Sequence, residues 1–156
     1  MIQTRIYSQR DWRWAWKKVG GVSNFWNIGC TTVALTSLLF RAGYDLQPDQ
    51  VEERLRKVGG YTKDGLIIWA KIEKAFPKVK WVYRHYAYNN AKVKAYVDRD
   101  IPVMVEVLVR GLTGKTYRHW VLFLGDKMMM DPLSGKVVST AKYPPIGWSE
   151  IQISKA

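Results

Sequence analysis

The chain has 156 residues, which suits one domain spanning 1–156, and its 47% hydrophobic and 13% aromatic content excludes an intrinsically disordered chain. A single cysteine excludes an intrachain disulfide framework; with only two histidines beside it, a four-ligand Cys/His zinc site is also excluded, and no metal or cofactor is expected. Twenty-five Lys and Arg against 13 Asp and Glu give a net charge of +12, which either draws the domain to polyanions (nucleic acid, anionic cell-wall polymers, acidic membrane surfaces) or leaves a solvated basic face.

Residues 1–29 show no steady period. Trp12, Trp14, Trp16 and Trp26 mix with Arg10, Arg13, Lys17 and Lys18, which reads as a strand or as a looped segment wrapped over the core. From Cys30 the pattern changes. Val33, Ala34, Leu35, Leu38, Leu39 and Phe40 predict a buried, central helix that stops at Gly43. A second helix is predicted over 48–57, with Pro48 in its first turn and Val51, Leu55 and Val58 on one face. A third is predicted over 64–76, capped by Asp64, with Leu66, Trp69, Ile72 and Phe76 as its apolar face. A fourth, short helix starts at Asn89 or Asn90 and runs to Tyr96. Period two dominates elsewhere. Strands are predicted over 80–86, 101–110, 117–124, 128–131 and 136–140, with turns at 111–115, 125–127 and 132–135. Helices followed by an antiparallel meander predict an α+β domain, with the helix that begins at Cys30 packed centrally on a C-terminal antiparallel sheet.

The strongest local signal is Asn27-Ile28-Gly29-Cys30-Thr31-Thr32. A loop ending in glycine enters a buried helix, and the cysteine opens that helix. The dipole and free N–H groups of a helix start favour a thiolate, and a thiolate attacks carbonyls. The competing reading is a small buried hydrophobe. The base for such a thiol is His85 or His119. His85, among aromatics in Tyr83-Arg84-His85-Tyr86, reads as structural or surface-lying. His119 shares a strand face with Val121 and Phe123. A three-residue loop at 125–127 pairs Leu124 with Met128, which puts His119 opposite Leu133. Asp131 is then its diagonal neighbour on the same face, about 7–8 Å away at Cα. That is the arrangement of nucleophile, base and orienting carboxylate. Met128-Met129-Met130 reads as core filling, and Glu106 as a solvent-face residue or the partner of a nearby Arg or Lys. Nothing pairs Asp64, Glu106 and Asp131 as the two carboxylates of a glycosidase.

The chain order Cys, His, Asp resembles the papain-like cysteine peptidases. It is most similar to their compact branch, the bacteriocin-processing double-glycine peptidases and their stand-alone phage and bacterial relatives. Five blocks carry the resemblance across nearly the whole chain: Gln9-Arg10-Asp11, the run from Gly29 to Leu35, Gly59-Gly60-Tyr61, His119-Trp120-Val121, and Asp131-Pro132 with Gly135. The resemblance implies Cys30 as nucleophile, His119 as general base and acid, and Asp131 as the orienting carboxylate. It further implies Gln9 as oxyanion donor beside a backbone N–H at the helix start. Gln9 stands 30 − 9 = 21 positions before Cys30, without the close spacing usual in that family, so Asn24 and Asn27 are rivals. Asn24, Asn27, Gly29 and Trp120 are expected on the substrate side.

The implied activity is hydrolysis of peptide or amide bonds through an acyl-thioester. No run approaches the length of a membrane span, unlike the transporter-borne members of that branch. Cell-wall peptides, cleaved in the manner of an endolysin acting on peptidoglycan, are therefore the expected substrate, with general proteolysis the alternative. Residues 1–12 lack the apolar stretch of a secretion signal, so the expected location is the cytoplasm of the producing cell, with phage delivery to the wall. Two readings from other classes stand beside this one. In the first, Trp12, Trp14 and Trp16 with their basic neighbours form a stacking platform for nucleic acid or another polyanion, with no catalysis. In the second, the fold is an inactive peptidase-like interaction domain.

Overall fold

The computed structural model describes residues 1–154. It is an α+β fold with five helices and a six-stranded antiparallel sheet beside a two-stranded hairpin. The first 17 residues form no strand; they are loop and turn. Trp14 is fully buried and donates its indole N–H to the Ser8 carbonyl at 2.7 Å, whereas Trp12 and Trp16 are 84% and 68% exposed. The small hairpin of β1 (Lys18–Val19) and β2 (Ser23–Asn24) leads into a single helical turn, α1 (Phe25–Ile28).

α2 (Cys30–Arg41) is the central helix, buried from Thr32 to Leu39. Its three interior polar side chains are satisfied: Thr32 bonds the Tyr61 hydroxyl at 2.9 Å, Thr36 donates to the Thr32 carbonyl at 2.7 Å, and Ser37 reaches the Met130 sulfur at 3.0 Å. α3 (Pro48–Lys57) matches the predicted range, and its start is closed by a reciprocal cap between Gln47 and Gln50. The third predicted helix is much shorter than expected. A single 3-10 turn, Trp69–Lys71, leads into α4 (Ile72–Ala75). Residues 62–68 turn instead, because Gly65 takes φ +81° and the Thr62 hydroxyl accepts from the N–H groups of Asp64 and Leu66. Leu66, expected on an apolar face, is exposed. α5 (Asn90–Val97) is capped by the Asn89 side chain, which accepts from the Lys92 N–H.

The sheet contains β3 (Val79–His85), β4 (Val103–Arg110), β5 (Thr116–Gly125), β6 (Met128–Asp131), β7 (Lys136–Ser139) and β8 (Pro145–Ile153), in the order β3-β8-β4-β5-β6-β7. β4 to β7 form the predicted meander. β8 was not predicted, and it occupies the sheet interior between β3 and β4, with Trp148 opposite both His85 and Val105. Its period-two signal is hidden by Pro144, Pro145 and Gly147, which read as turn residues in sequence.

Each sheet face carries a core. On one face α2 packs Val33, Leu35, Leu38 and Leu39 against Met104, Leu122, Leu124 and Met130. On the other, Val93 and Tyr96 of α5 cover Val105, Val121, Phe123 and Met129, with Tyr143 and Trp148. Val103, Val105, Val107 and Val109 share this second face, as their alternation requires.

Candidate functional site

Two strand ends and one helix start meet at one edge of the sheet. β6 stops at Asp131, and its last pair with β5 inside the strands is Leu122 with Met130. Residues 116–120 of β5 therefore lie beyond β6 and form an open edge. The predicted register between these strands is correct, but the turn that sets it differs. Asp126 and Lys127 form a two-residue turn, both with left-handed φ (54° and 57°), and Gly125 pairs with Met128. A bulge at Leu124 absorbs the odd residue and returns Phe123 to Met129.

His119 and Asp131 consequently face the same way, and the His119 Nε2 lies 2.8 Å from Asp131 Oδ1. Both side chains are buried. Asp131 is held from several sides. Oδ1 also accepts from the Leu133 N–H at 3.0 Å, and Oδ2 accepts from the Tyr143 hydroxyl at 2.8 Å and, at longer range, from Ser134 and Lys142. Burial pushes this carboxyl up, but the hydrogen bond and charge of His119, with the Tyr143 and Leu133 donors, hold it at about 2. Tyr143 also stands edge-on to the His119 ring, with centroids 6.0 Å apart. The turn signals before it offered no sequence cue to Tyr143, which is fixed only by the return of β8.

The Nε2 contact leaves Nδ1 of His119 for the thiol. Cys30 is the first residue of α2, half-buried, and its thiol is near enough to the His119 ring and to the Trp120 backbone N–H on the open edge for both to lower its pKa. Sγ also lies 3.9 Å from the Thr31 hydroxyl. Burial raises the Cys30 pKa, yet His119 and the Trp120 N–H more than offset this, and the net shift is downward. For His119 burial disfavours the imidazolium, while Asp131 and Cys30 together raise its pKa to about 9. The two shifts both favour transfer of the thiol proton to the imidazole.

Gly29 sets the entry of α2. Its N–H donates to the Phe25 carbonyl at 2.9 Å, and a Cβ here would sit 2.5 Å from that oxygen and 2.7 Å from the Phe25 ring. Gly29→Ala is expected to cost about 1–3 kcal/mol by overpacking, read as a lower urea midpoint.

The long sequence gap to Gln9 is closed by the N-terminal segment. Ile2 donates to Leu124, and Gln9 donates its backbone N–H to the Pro132 carbonyl at 2.9 Å, next to Asp131. Gly135, at φ +67°, leaves room for Ser8; a Cβ there would lie 2.7 Å from Ser8 Cβ. The buried Gln9 side chain then donates Nε2 to the Trp26 carbonyl at 2.9 Å, in the turn just before Cys30, and its Oε1 is without a hydrogen-bond partner. Asn24 is spent on capping, accepting from the Asn27 N–H at 3.0 Å, and Asn27 itself is exposed. Of the three amides, Gln9 alone is tied to both the Asp131 turn and the Cys30 turn. Trp120 is buried, with its ring 5.1 Å from that of Trp69.

The second histidine belongs elsewhere. His85 stacks on Trp148 at 4.3 Å and bonds Glu150 at 2.9 Å. Among the described residues no group of three or more His, Cys, Asp or Glu is placed to hold a metal ion, and no helix is long and apolar enough to cross a membrane. Comparison of the chain with protein-family models, curated proteins and solved structures finds no match.

Proposed function

We propose that this chain is a thiol-dependent hydrolase of papain-like type, which cleaves peptide or amide bonds through Cys30, His119 and Asp131. The observation that carries the reading is the buried His119–Asp131 pair at 2.8 Å, with the chain's single cysteine beside it at a helix start. The Cys30 thiolate attacks the substrate carbonyl carbon and a C–S bond forms. The resulting oxyanion takes hydrogen bonds from the second Gln9 Nε2–H and from a backbone N–H at the start of α2, whose first-turn donors have no intrahelical partner. His119 gives its proton to the leaving amine as the C–N bond breaks. Water then attacks the thioester, His119 takes its proton, and the C–S bond breaks to release the acid. Asp131 accepts from Nε2–H throughout and fixes the tautomer.

Cell-wall peptides are the proposed substrate, in the manner of a phage or bacterial endolysin, since a +12 protein is attracted to an anionic wall polymer. The exposed Trp12 and Trp16 favour a second reading as a polyanion-binding module. Trp16 stacks on Trp26 at 5.3 Å, and Arg10 lies 4.8 Å from the Trp26 ring centroid. That reading makes Cys30 irrelevant.

The test is alkylation of Cys30 by iodoacetamide from pH 4 to 10, followed by intact mass, in the native protein and in His119→Ala. Labelling is expected well below the ordinary thiol pKa of about 8.5, and the variant is expected to return to the ordinary profile. In parallel, purified cell walls are expected to release new amines with the native protein and none with Cys30→Ala. Identical alkylation profiles in native protein and variant would remove the catalytic reading.

A further inference from the structure

Glu106 breaks an otherwise apolar strand, and the triad does not use it. It is buried on the α2 face of the sheet, in register with Trp120 of β5. Two guanidinium groups converge on its Oε1: Arg84 Nη2 at 2.5 Å and Arg118 Nη1 at 3.1 Å. The two arginines differ. The Arg84 side chain is 12% exposed, lies over Trp120 and Tyr86 at 4.9 and 4.1 Å from their centroids, and donates Nη1 to the His85 carbonyl at 2.6 Å. Its path across β8 needs Gly147, where a Cβ would come within 2.6 Å of Nη1. The Arg118 side chain is 66% exposed and makes one side-chain hydrogen bond among the described residues, to Glu106.

Two positive charges against one carboxylate leave a surplus of +1. Glu106 anchors Arg118 at one nitrogen and leaves its other donors open to solvent. Arg118 and Trp120 lie on the same face of β5, two residues and roughly 7 Å apart. The Trp120 ring packs in the same core as Cys30 and Trp69. A group bound at Sγ that runs along this face of β5 passes Trp120, and its next residue comes within reach of Arg118, since an extended residue spans about 3.3–3.6 Å.

The geometry points to a carboxylate-recognition subsite at Arg118, anchored by Glu106 and Arg84, so that the chain takes substrates with a carboxylate about one to two residues from the scissile carbonyl. This rests on the hydrolase reading of Cys30. The carboxylate is either a free C-terminus or an acidic side chain. Arg118 contacts it directly, Glu106 and Arg84 are positioning residues, and Trp120 is the apolar floor between the anion and the thiol.

The test uses Cys30 as its own reporter and needs no turnover. Two pairs of reagents are compared by intact mass at fixed pH: bromoacetyl-glycine against bromoacetyl-glycinamide for a free terminus, and bromoacetyl-Asp-amide against bromoacetyl-Asn-amide for a side chain. At least one pair is expected to show the carboxylate form reacting about tenfold faster, the low end for one hydrogen bond between charged groups. That preference is expected to fall to about one in Arg118→Gln, with iodoacetamide reactivity unchanged. The pair that shows it identifies the source of the carboxylate. Ratios near one in the native protein overturn the subsite, and so does a preference that survives Arg118→Gln, which then belongs to the His119 imidazolium. Failure of the hydrolase reading shows separately, as an ordinary thiol pH profile whatever these ratios are.

Discussion

Asp131→Asn is expected to lower kcat/KM for the released-amine reaction by at least about tenfold while the protein stays folded, because a neutral amide removes the counter-charge of the His119 imidazolium. In the native protein His119 donates Nε2–H to Oδ1 and offers Nδ1 to the thiol. The asparagine nitrogen offers a donor where the carboxylate accepts. Oδ2 now takes the Tyr143 hydroxyl, and Oδ1 also takes the Leu133 N–H; an amide whose oxygen stays at the Oδ1 position keeps the His119 and Leu133 bonds, and its nitrogen donates to the Tyr143 oxygen once that hydroxyl turns away. The imidazolium loses its counter-charge and the thiol loses its partner, so the Cys30 alkylation profile moves toward that of a free thiol. An activity loss under about tenfold would show that the Asp131 charge does not sustain the His119 imidazolium.

The same residue shapes acid stability. With a folded pKa of about 2 against an ordinary 3.8, Asp131 contributes stability that is present above pH 3.8 and lost as the pH falls through about 2. His119, raised from 6.5 to about 9, contributes stability present below 6.5 and lost as the pH rises through about 9. Cys30, lowered from 9.0, contributes in the opposite sense over this alkaline range. The His119 and Cys30 contributions therefore have opposite signs, the first weakening and the second strengthening as the pH rises. In Asp131→Asn the acid limb near pH 2–4 is expected to shrink, which urea midpoints across pH will show.

What was legible in the sequence was legible for local reasons. α2 and α3 announce themselves by period and by the stops at Gly43 and Gly59, and the β5–β6 register follows from placing a turn at 125–127, although the turn itself is two residues long with a bulge beside it. The chain's one cysteine and two histidines make Cys30 and His119 easy to nominate. What was hidden depends on distant partners. β8 carries two prolines and a glycine in its first half or just before it, yet it fits between β3 and β4 because Gly147 lets Arg84 pass over it. The 62–68 segment keeps a helical apolar spacing, but the Thr62 hydroxyl and Gly65 spend its backbone on a turn. Gln9 reaches the site through bonds to Leu124 and Pro132 that span more than a hundred residues, and no local pattern encodes them. Glu106 was visible as an anomaly, and the expected Arg partner is there; that it is buried, and that Arg84 and Arg118 both reach it, was not visible.

Glu106→Ala is expected to be the most destabilising of the single substitutions at this ion cluster, at about 3–5 kcal/mol, because removing one member of a buried ion pair strands the other charge. Arg118 can turn its exposed side chain into water. Arg84 cannot, since Tyr86 and Trp120 flank its guanidinium, β8 lies beneath it, and its second nitrogen is held by the His85 carbonyl. Urea denaturation should therefore show a large drop for Glu106→Ala and a small one for Arg118→Gln. The double substitution Glu106→Leu with Arg84→Met removes both buried charges and is expected to recover most of the loss, as apolar replacement of a buried pair often does. Arg118 then has no anchor, so the recovered stability should come without the preference for carboxylate reagents. A cost under about 1 kcal/mol for Glu106→Ala, the range of exposed pairs, would mean that water already reaches Arg84. The cluster would then be a surface ion pair, without the rigid anchor that a carboxylate subsite beside Cys30 requires.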